Sequence, residues 1–285
     1  MEKLIQFCTI ASLYDGAFDS KVGWAAAGMG YIIKTKNNSF IVIDGGHTED
    51  ATALVATLEK YSNGDKPCVA LWIVTHSHDD HYQALLEISQ NTSLRSRLEV
   101  QKIAYYFPDE YLDRAGSKCN EAPNDDLRSI TESLGAQGFE PQRDTILNVD
   151  GTQIHFLYVP DDCSVINRSS NANACSLIFR ICFTNGRTVV MTGDATTRSL
   201  QITAWRYGEA LKSDALQMPH HALCDTGNYD FYRFVNARTV MLPTSVAGDR
   251  AMSELYFDKN EKNRFAYKNA KAIIKAYEGT KEIDI

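Results

Sequence analysis

Residues His76-Ser77-His78-Asp79-Asp80-His81 constrain this chain more than any other stretch. They form an H-x-H-x-D-H run that closes the apolar segment Val69-Ala70-Leu71-Trp72-Ile73-Val74. The chain has seven histidines, and three of them fall inside these six residues. An apolar segment of this length ending in a short polar loop reads as a buried strand that delivers its last side chains at the carboxyl edge of a sheet, where ligands bind. Imidazoles and carboxylates crowded together are costly unless a cation collects them. Zinc and similar divalent ions do so with nitrogen and oxygen ligands. The expected fold is therefore one whose sheet edge gathers these groups around metal.

Three further polar groups follow apolar strand segments. Asp44-Gly45-Gly46-His47 comes after Phe40-Ile41-Val42-Ile43, and its glycines permit a tight turn. Asp44 is expected behind the metal ligands, where a carboxylate orients a ligand histidine. Gly193-Asp194 comes after Thr188-Val189-Val190-Met191, and its carboxylate suits a ligand shared by two ions. His220-His221 comes after Leu216-Gln217-Met218-Pro219. Adjacent residues on an extended segment point to opposite sides, so one histidine is expected on metal and the other facing substrate. His155 falls inside a strand pattern and is expected to be structural; no spacing assigns His47.

Strand and helix patterns alternate along the chain. Residues 28–43 read as a hairpin around Lys36-Asn37-Asn38, and residues 49–61 as a helix. A strand over 68–74 leads to a helix over 81–90. A strand over 100–106 and a helix over 125–134 follow. Strand pairs are expected at 145–149 with 153–159 and at 176–183 with 188–192. A helix over Thr197–Tyr207, strands at 215–218 and 240–242, and a closing helix over 265–277 complete the pattern. Two sheets face to face with helices outside satisfy this order, and the absence of repeats or a linker favours a single domain over 1–285.

The net charge of −7 and pI near 5.5 give no general pull toward nucleic acid or anionic lipid, and no apolar run reaches membrane-spanning length. The seven cysteines are scattered and never spaced C-x-x-C, which fits reduced thiols and a cytoplasmic protein. Lys259, Lys262, Arg264, Lys268, Lys271 and Lys275 form a basic C-terminal run, expected as a solvated helix face.

The ordered set Asp44-Gly45-Gly46, Thr75-His76-Ser77-His78-Asp79-Asp80-His81, Gly193-Asp194 and His220-His221 resembles the metallo-β-lactamase-fold superfamily. The resemblance spans residues from about 28 to 245. It implies an α/β fold, a four-layer αββα sandwich with one or two ions along one sheet edge. Zn2+ is the first expectation, with Mn2+ or Fe2+ as alternatives. In that family His76 and His78 would bind the first ion, and Asp80 and His81 the second. Asp194 would bridge them, and His221 or His220 would complete the second site, with the arrangement leaning to His221. Most members carry another histidine before the Gly-Asp strand, whereas residues 167–176 hold none. First-site binding is therefore expected to be the weaker.

The Asn173 to Ser176 spacing and the histidine pair look most like the branch containing the hydrolase domain of competence DNA-internalisation proteins and bacterial phosphorylcholine esterases. The resemblance implies a metal-dependent hydrolase acting through a metal-bound hydroxide on a small-molecule or phosphodiester substrate. Asp80 would hold the nucleophile's proton, and the histidine that is not a ligand would serve the leaving group. Asn171, Asn173 or Tyr82 would hydrogen-bond substrate oxygens. Carboxylic ester, lactone or amide hydrolysis is the rival activity, and a non-catalytic metal-stabilised binding protein is the rival class.

Overall fold

The computed structural model describes residues 1–17, 28–108, 122–161, 172–223 and 226–284. Its first half carries strands β1 (Lys3–Gln6), β2 (Gly30–Lys34), β3 (Phe40–Asp44), β4 (Cys68–Ile73), β5 (Glu99–Val100), β6 (Lys102–Ala104) and β7 (Gln137–Phe139). Helices α1 (Ala51–Tyr61), α2 (Asp79–Gln90) and α3 (Pro123–Leu134) lie between them. The second half carries β8 (Ile146–Val149), β9 (Thr152–Tyr158), β10 (Ile178–Cys182), β11 (Thr188–Met191), β12 (Ala215–Gln217), β13 (Thr239–Leu242), β14 (Ala272–Lys275) and β15 (Lys281–Ile283). Its longer helices are α4 (Thr197–Tyr207), α5 (Tyr229–Val235), α6 (Val246–Glu254) and α7 (Glu261–Asn269).

One sheet runs β15-β1-β2-β3-β4-β6-β7, with β5 also on β4; the other runs β14-β13-β12-β11-β10-β9-β8. β3, β4, β6 and β7 are mutually parallel neighbours, as are β11 to β14. Both parallel halves therefore end at a carboxyl edge.

Side-chain alternation sets the layers. Tyr31, Ile33, Ile41, Ile43, Leu71 and Ile73 of the first sheet meet Ile154, Phe179, Ile181, Val189 and Met191 of the second. The intervening residues turn outward: Ile32, Val42 and Trp72 pack with Leu54, Leu58, Leu85 and Ile88 of α1 and α2. On the far side, Val190, Leu216 and Val240 pack with Leu200, Phe231 and Ala266. This is a helix–sheet–sheet–helix sandwich, as expected. Burying each large aliphatic side chain contributes about 1.5–3 kcal/mol, and a one-residue slip would reverse every face.

Three expectations need correction. Residues 265–277 are not one helix, because α7 ends at Asn269 and Ala272–Lys275 pairs in parallel with β13. The β13 edge needs hydrogen-bond partners, and the β-branched pair Ile273-Ile274 suits a strand. Val240 to Leu242 is therefore not in the last strand. Helix α2 also starts two residues earlier than expected, so Asp79 and Asp80 occupy its first turn. Carboxylates there face the positive end of the helix.

Candidate metal centre

Four strand ends converge. Asp44 closes β3, the loop after β4 runs into α2, Gly193-Asp194 follows β11, and His220-His221 follows β12. Backbone bonds tie these segments together. Leu177 donates its N–H to the Thr75 carbonyl at 3.0 Å, and His220 donates to the Gly193 carbonyl at 3.2 Å. Gln217, buried on β12, donates through Nε2 to the same Gly193 carbonyl at 3.0 Å and accepts the Thr192 N–H at 2.7 Å.

Two sets of side chains each bring their ligand atoms within 4.8 Å of one another: Asp80, His81, Asp194 and His221, and His76, His78 and Asp194. Asp194 is common to both. Its Oδ2 lies 3.4 Å from His221 Nε2 and 3.8 Å from His76 Nε2, and its Oδ1 lies 3.4 Å from His81 Nε2. Asp80 Oδ2 is 3.0 Å from His221 Nε2. The structure thus brings together His76 and His78 with Asp194, and Asp80, His81 and His221 with Asp194.

The histidines are held from behind. Asp44 is fully buried; its Oδ1 accepts the Thr75 N–H at 2.8 Å and its Oδ2 accepts the Thr75 hydroxyl at 2.9 Å. The same Oδ2 accepts from His81 Nδ1 at 2.8 Å, and the Thr75 hydroxyl oxygen lies 3.1 Å from His76 Nδ1. His221 Nδ1 donates to the Pro243 carbonyl at 2.7 Å. With each Nδ1 occupied as donor, the Nε2 atoms turn inward, the orientation that metal ligation needs. His76 Nε2, His81 Nε2, His221 Nε2 and Asp194 Oδ1 are buried with no hydrogen-bond partner. Buried polar atoms left in that state are costly. A divalent ion would satisfy them together, so the donor set fits zinc, manganese or iron.

The charges agree. Burial pushes the His81 and His221 imidazoles toward the neutral form, but the neighbouring carboxylates outweigh it. Asp194, Asp44 and Asp80 raise His81 well above the usual range, and Asp194 with Asp80 brings His221 up to about 10. Burial also tends to raise Asp80 and Asp194, yet the histidines hold both well below the ordinary carboxylate range. Burial lowers His76 strongly, and it lowers His220 to about 4. Thus the carboxylates retain protons on His81 and His221, the protons an incoming cation would displace.

His220 and His221 do not lie on an extended segment. Both are left-handed, with φ of 50° and 54°, and Ala222 continues the turn at 61°. This turn buries His221 in the second ligand set and leaves His220 outside both, its Nε2 3.9 Å from Asp194 Oδ2 and 3.3 Å from Asn173 Nδ2. Asn173 is buried beside the centre, and its Oδ1 has no hydrogen-bond partner. Tyr82 is a correction: it is fully buried in the core under α2, and its hydroxyl donates to Asp126 at 2.9 Å. One position past His81 on a helix, its side chain is carried to the packed face rather than the site. Asn171 lies outside the described residues. His155 sits on β9 against Asp144, and His47 starts the turn before α1. Sequence spacing assigns no role to Thr75, Gln217 or the Pro243 carbonyl; only Thr75, adjoining the motif, carries a local signal.

The family model of the metallo-beta-lactamase superfamily matches residues 26–158. No curated protein matches the chain. Among solved structures, the metallo-beta-lactamase fold protein YhfI from Bacillus subtilis is similar at 15% identity and TM-score 0.53, over 99% of this chain and 100% of that one. Tm1679, described as a metal-dependent hydrolase of the beta-lactamase superfamily, is similar at 12% identity and TM-score 0.52, over 99% of each chain. CmlA from Streptomyces venezuelae, a diiron beta-hydroxylase, is similar at 12% identity and TM-score 0.56, over 99% of this chain and 54% of that one. The family match covers less than half of the chain, and these neighbours show that its fold is of the metallo-beta-lactamase kind.

Proposed function

We propose that this chain is a metal-dependent hydrolase, acting on a phosphodiester in the manner of the branch that includes competence-protein hydrolase domains and phosphorylcholine esterases. The observation that carries the reading is Asp194, shared by two ligand sets in which the inward Nε2 atoms of His76, His81 and His221 have no hydrogen-bond partner. Ions held there would lower the pKa of a bound water toward neutrality and polarise the scissile oxygen.

The chain's own residues supply the rest. Asp80, partly open to solvent at the helix start, accepts and orients the proton of the attacking water. His220 stands outside the ligand sets and is held neutral by burial, so it offers a neutral N–H to the leaving group rather than an imidazolium. Asn173 lies within reach of His220 and orients it or the substrate. Asp44 keeps His81 aimed inward.

A second reading, hydrolysis of a carboxylic ester, lactone or amide, is favoured by the apolar lining of the cavity beside His221. Likeness in fold to CmlA adds iron to the metals worth testing. The test is metal analysis of the purified chain, followed by phosphodiester, ester and lactone substrates with added zinc, manganese or iron. Turnover of a phosphodiester alone supports the first reading, and turnover of the ester or lactone alone supports the second. Absence of any bound metal would put a non-catalytic binding protein in front.

A further inference from the structure

His221 also forms one wall of a cavity of about 240 Å3 on the C-terminal side of the centre. Leu242, Met252 and Ile273 make it largely apolar. Its polar groups are unusual for an interior. Thr244 Oγ1 and Asn260 Oδ1, on residues 1% and 3% exposed, are buried with no hydrogen-bond partner, and so is Arg264 Nε. Native interiors keep few such groups, because each has lost water without gaining a replacement.

The charge pattern is equally specific. Lys275 and Tyr277 both donate to Asp249 Oδ2, at 2.8 and 2.7 Å, so the Lys275 charge is balanced. The Arg264 guanidinium stacks on Phe257, 3.6 Å from the ring centre, and among the described residues it has no carboxylate within ion-pair distance. The basic run expected to be a solvated face thus sends Arg264 and Lys275 to the wall of this cavity. Stacking fixes the plane of the guanidinium while leaving its hydrogen-bonding edge for a planar anion.

We propose that this cavity is the specificity pocket of the neighbouring centre. It receives the non-reacting part of the substrate, an apolar group that ends in a carboxylate. The carboxylate meets Arg264, the apolar body lies against Leu242, Met252 and Ile273, and Thr244 and Asn260 bond polar atoms along its length. The assignment as a substrate pocket rests on the hydrolytic reading of the centre; the binding chemistry does not.

The test is calorimetric titration of the full chain with 3-phenylpropionate, its neutral amide 3-phenylpropionamide, and acetate. The protein is first treated with chelator and desalted, so that a carboxylate on a metal ion cannot produce the signal. The expected result is binding of 3-phenylpropionate at least tenfold tighter than of the amide, with acetate weaker still. Arg264→Gln, at a partly exposed position, should abolish the preference for the acid, and Met252→Trp should weaken both aryl ligands by filling the cavity. Equal binding of acid and amide, no binding of either, or a preference that survives Arg264→Gln would overturn the proposal. Binding that persists while the hydrolysis panel fails would support the pocket's ligand chemistry and overturn only the reading of the centre.

Discussion

Asp194 touches both ligand sets, whereas His76 touches one, and this difference predicts separable losses. Asp194→Asn should remove both ions, and His76→Ala should remove the first while sparing the second, as read by metal analysis after mild dialysis. Loss of a single ion from Asp194→Asn would contradict a shared ligand. Three protein groups form the first set and four the second, so in the unaltered chain the first ion should leave earlier. Asp44 acts through His81, and Asp44→Asn removes the charge that holds the Nδ1 proton. Loss of such a supporting carboxylate typically weakens metal binding about 10–100-fold; undiminished affinity would show that Asp44 serves only the turn. Proton competition sets the pH dependence. Ligation needs neutral His221, which the carboxylates keep protonated up to about 10. Below that value an ion must displace the proton of His221 as well as that of His81, so affinity should rise with pH by about tenfold per unit for each proton displaced. Competition with a chromophoric chelator between about pH 6 and 8 reads this slope, and a flat profile would refute it.

At the scale of elements, the β11 turn is the most demanding joint. Gly193 has φ of 52°, and a Cβ there would lie 2.9 Å from Thr75 Cβ and Oγ1. Gly193→Ala therefore strains the backbone and pushes on the residue that supports Asp44 and His76. A loss of about 1–3 kcal/mol in stability is expected, together with a lower metal content. Thermal melting paired with metal analysis tests both, and an unchanged melt would mean the turn relaxes freely. The strands around the centre were legible because a buried segment in a sandwich is a short apolar run bounded by polar punctuation. β14 was not legible: Ala270, Ile273, Ile274 and Tyr277 fit a helical stripe as well as a strand, and the pairing edge of β13 decided between them.

For the whole molecule, the centre joins the carboxyl edges of two sheets, so metal should stabilise the entire sandwich. A ligand at a thousandfold excess over its Kd adds about 4 kcal/mol, which for a chain of this size is on the order of 10 °C in Tm. Chelation should lower Tm accordingly and metal should restore it; a Tm indifferent to chelator would make the centre energetically separate from the fold. The sequence by itself determined the sandwich and the strand ends that carry the candidate ligands, because alternation and motif spacing are short-range properties. Tertiary structure alone decided which atoms face one another. The left-handed turn at His220 and His221 assigns one to the ligand set and the other outside it. The helix start at Asp79 carries Tyr82 into the core, and β14 with α7 brings Arg264 to a cavity beside His221. Each of these depends on contacts between segments far apart in the chain, and local spacing encodes no such distance.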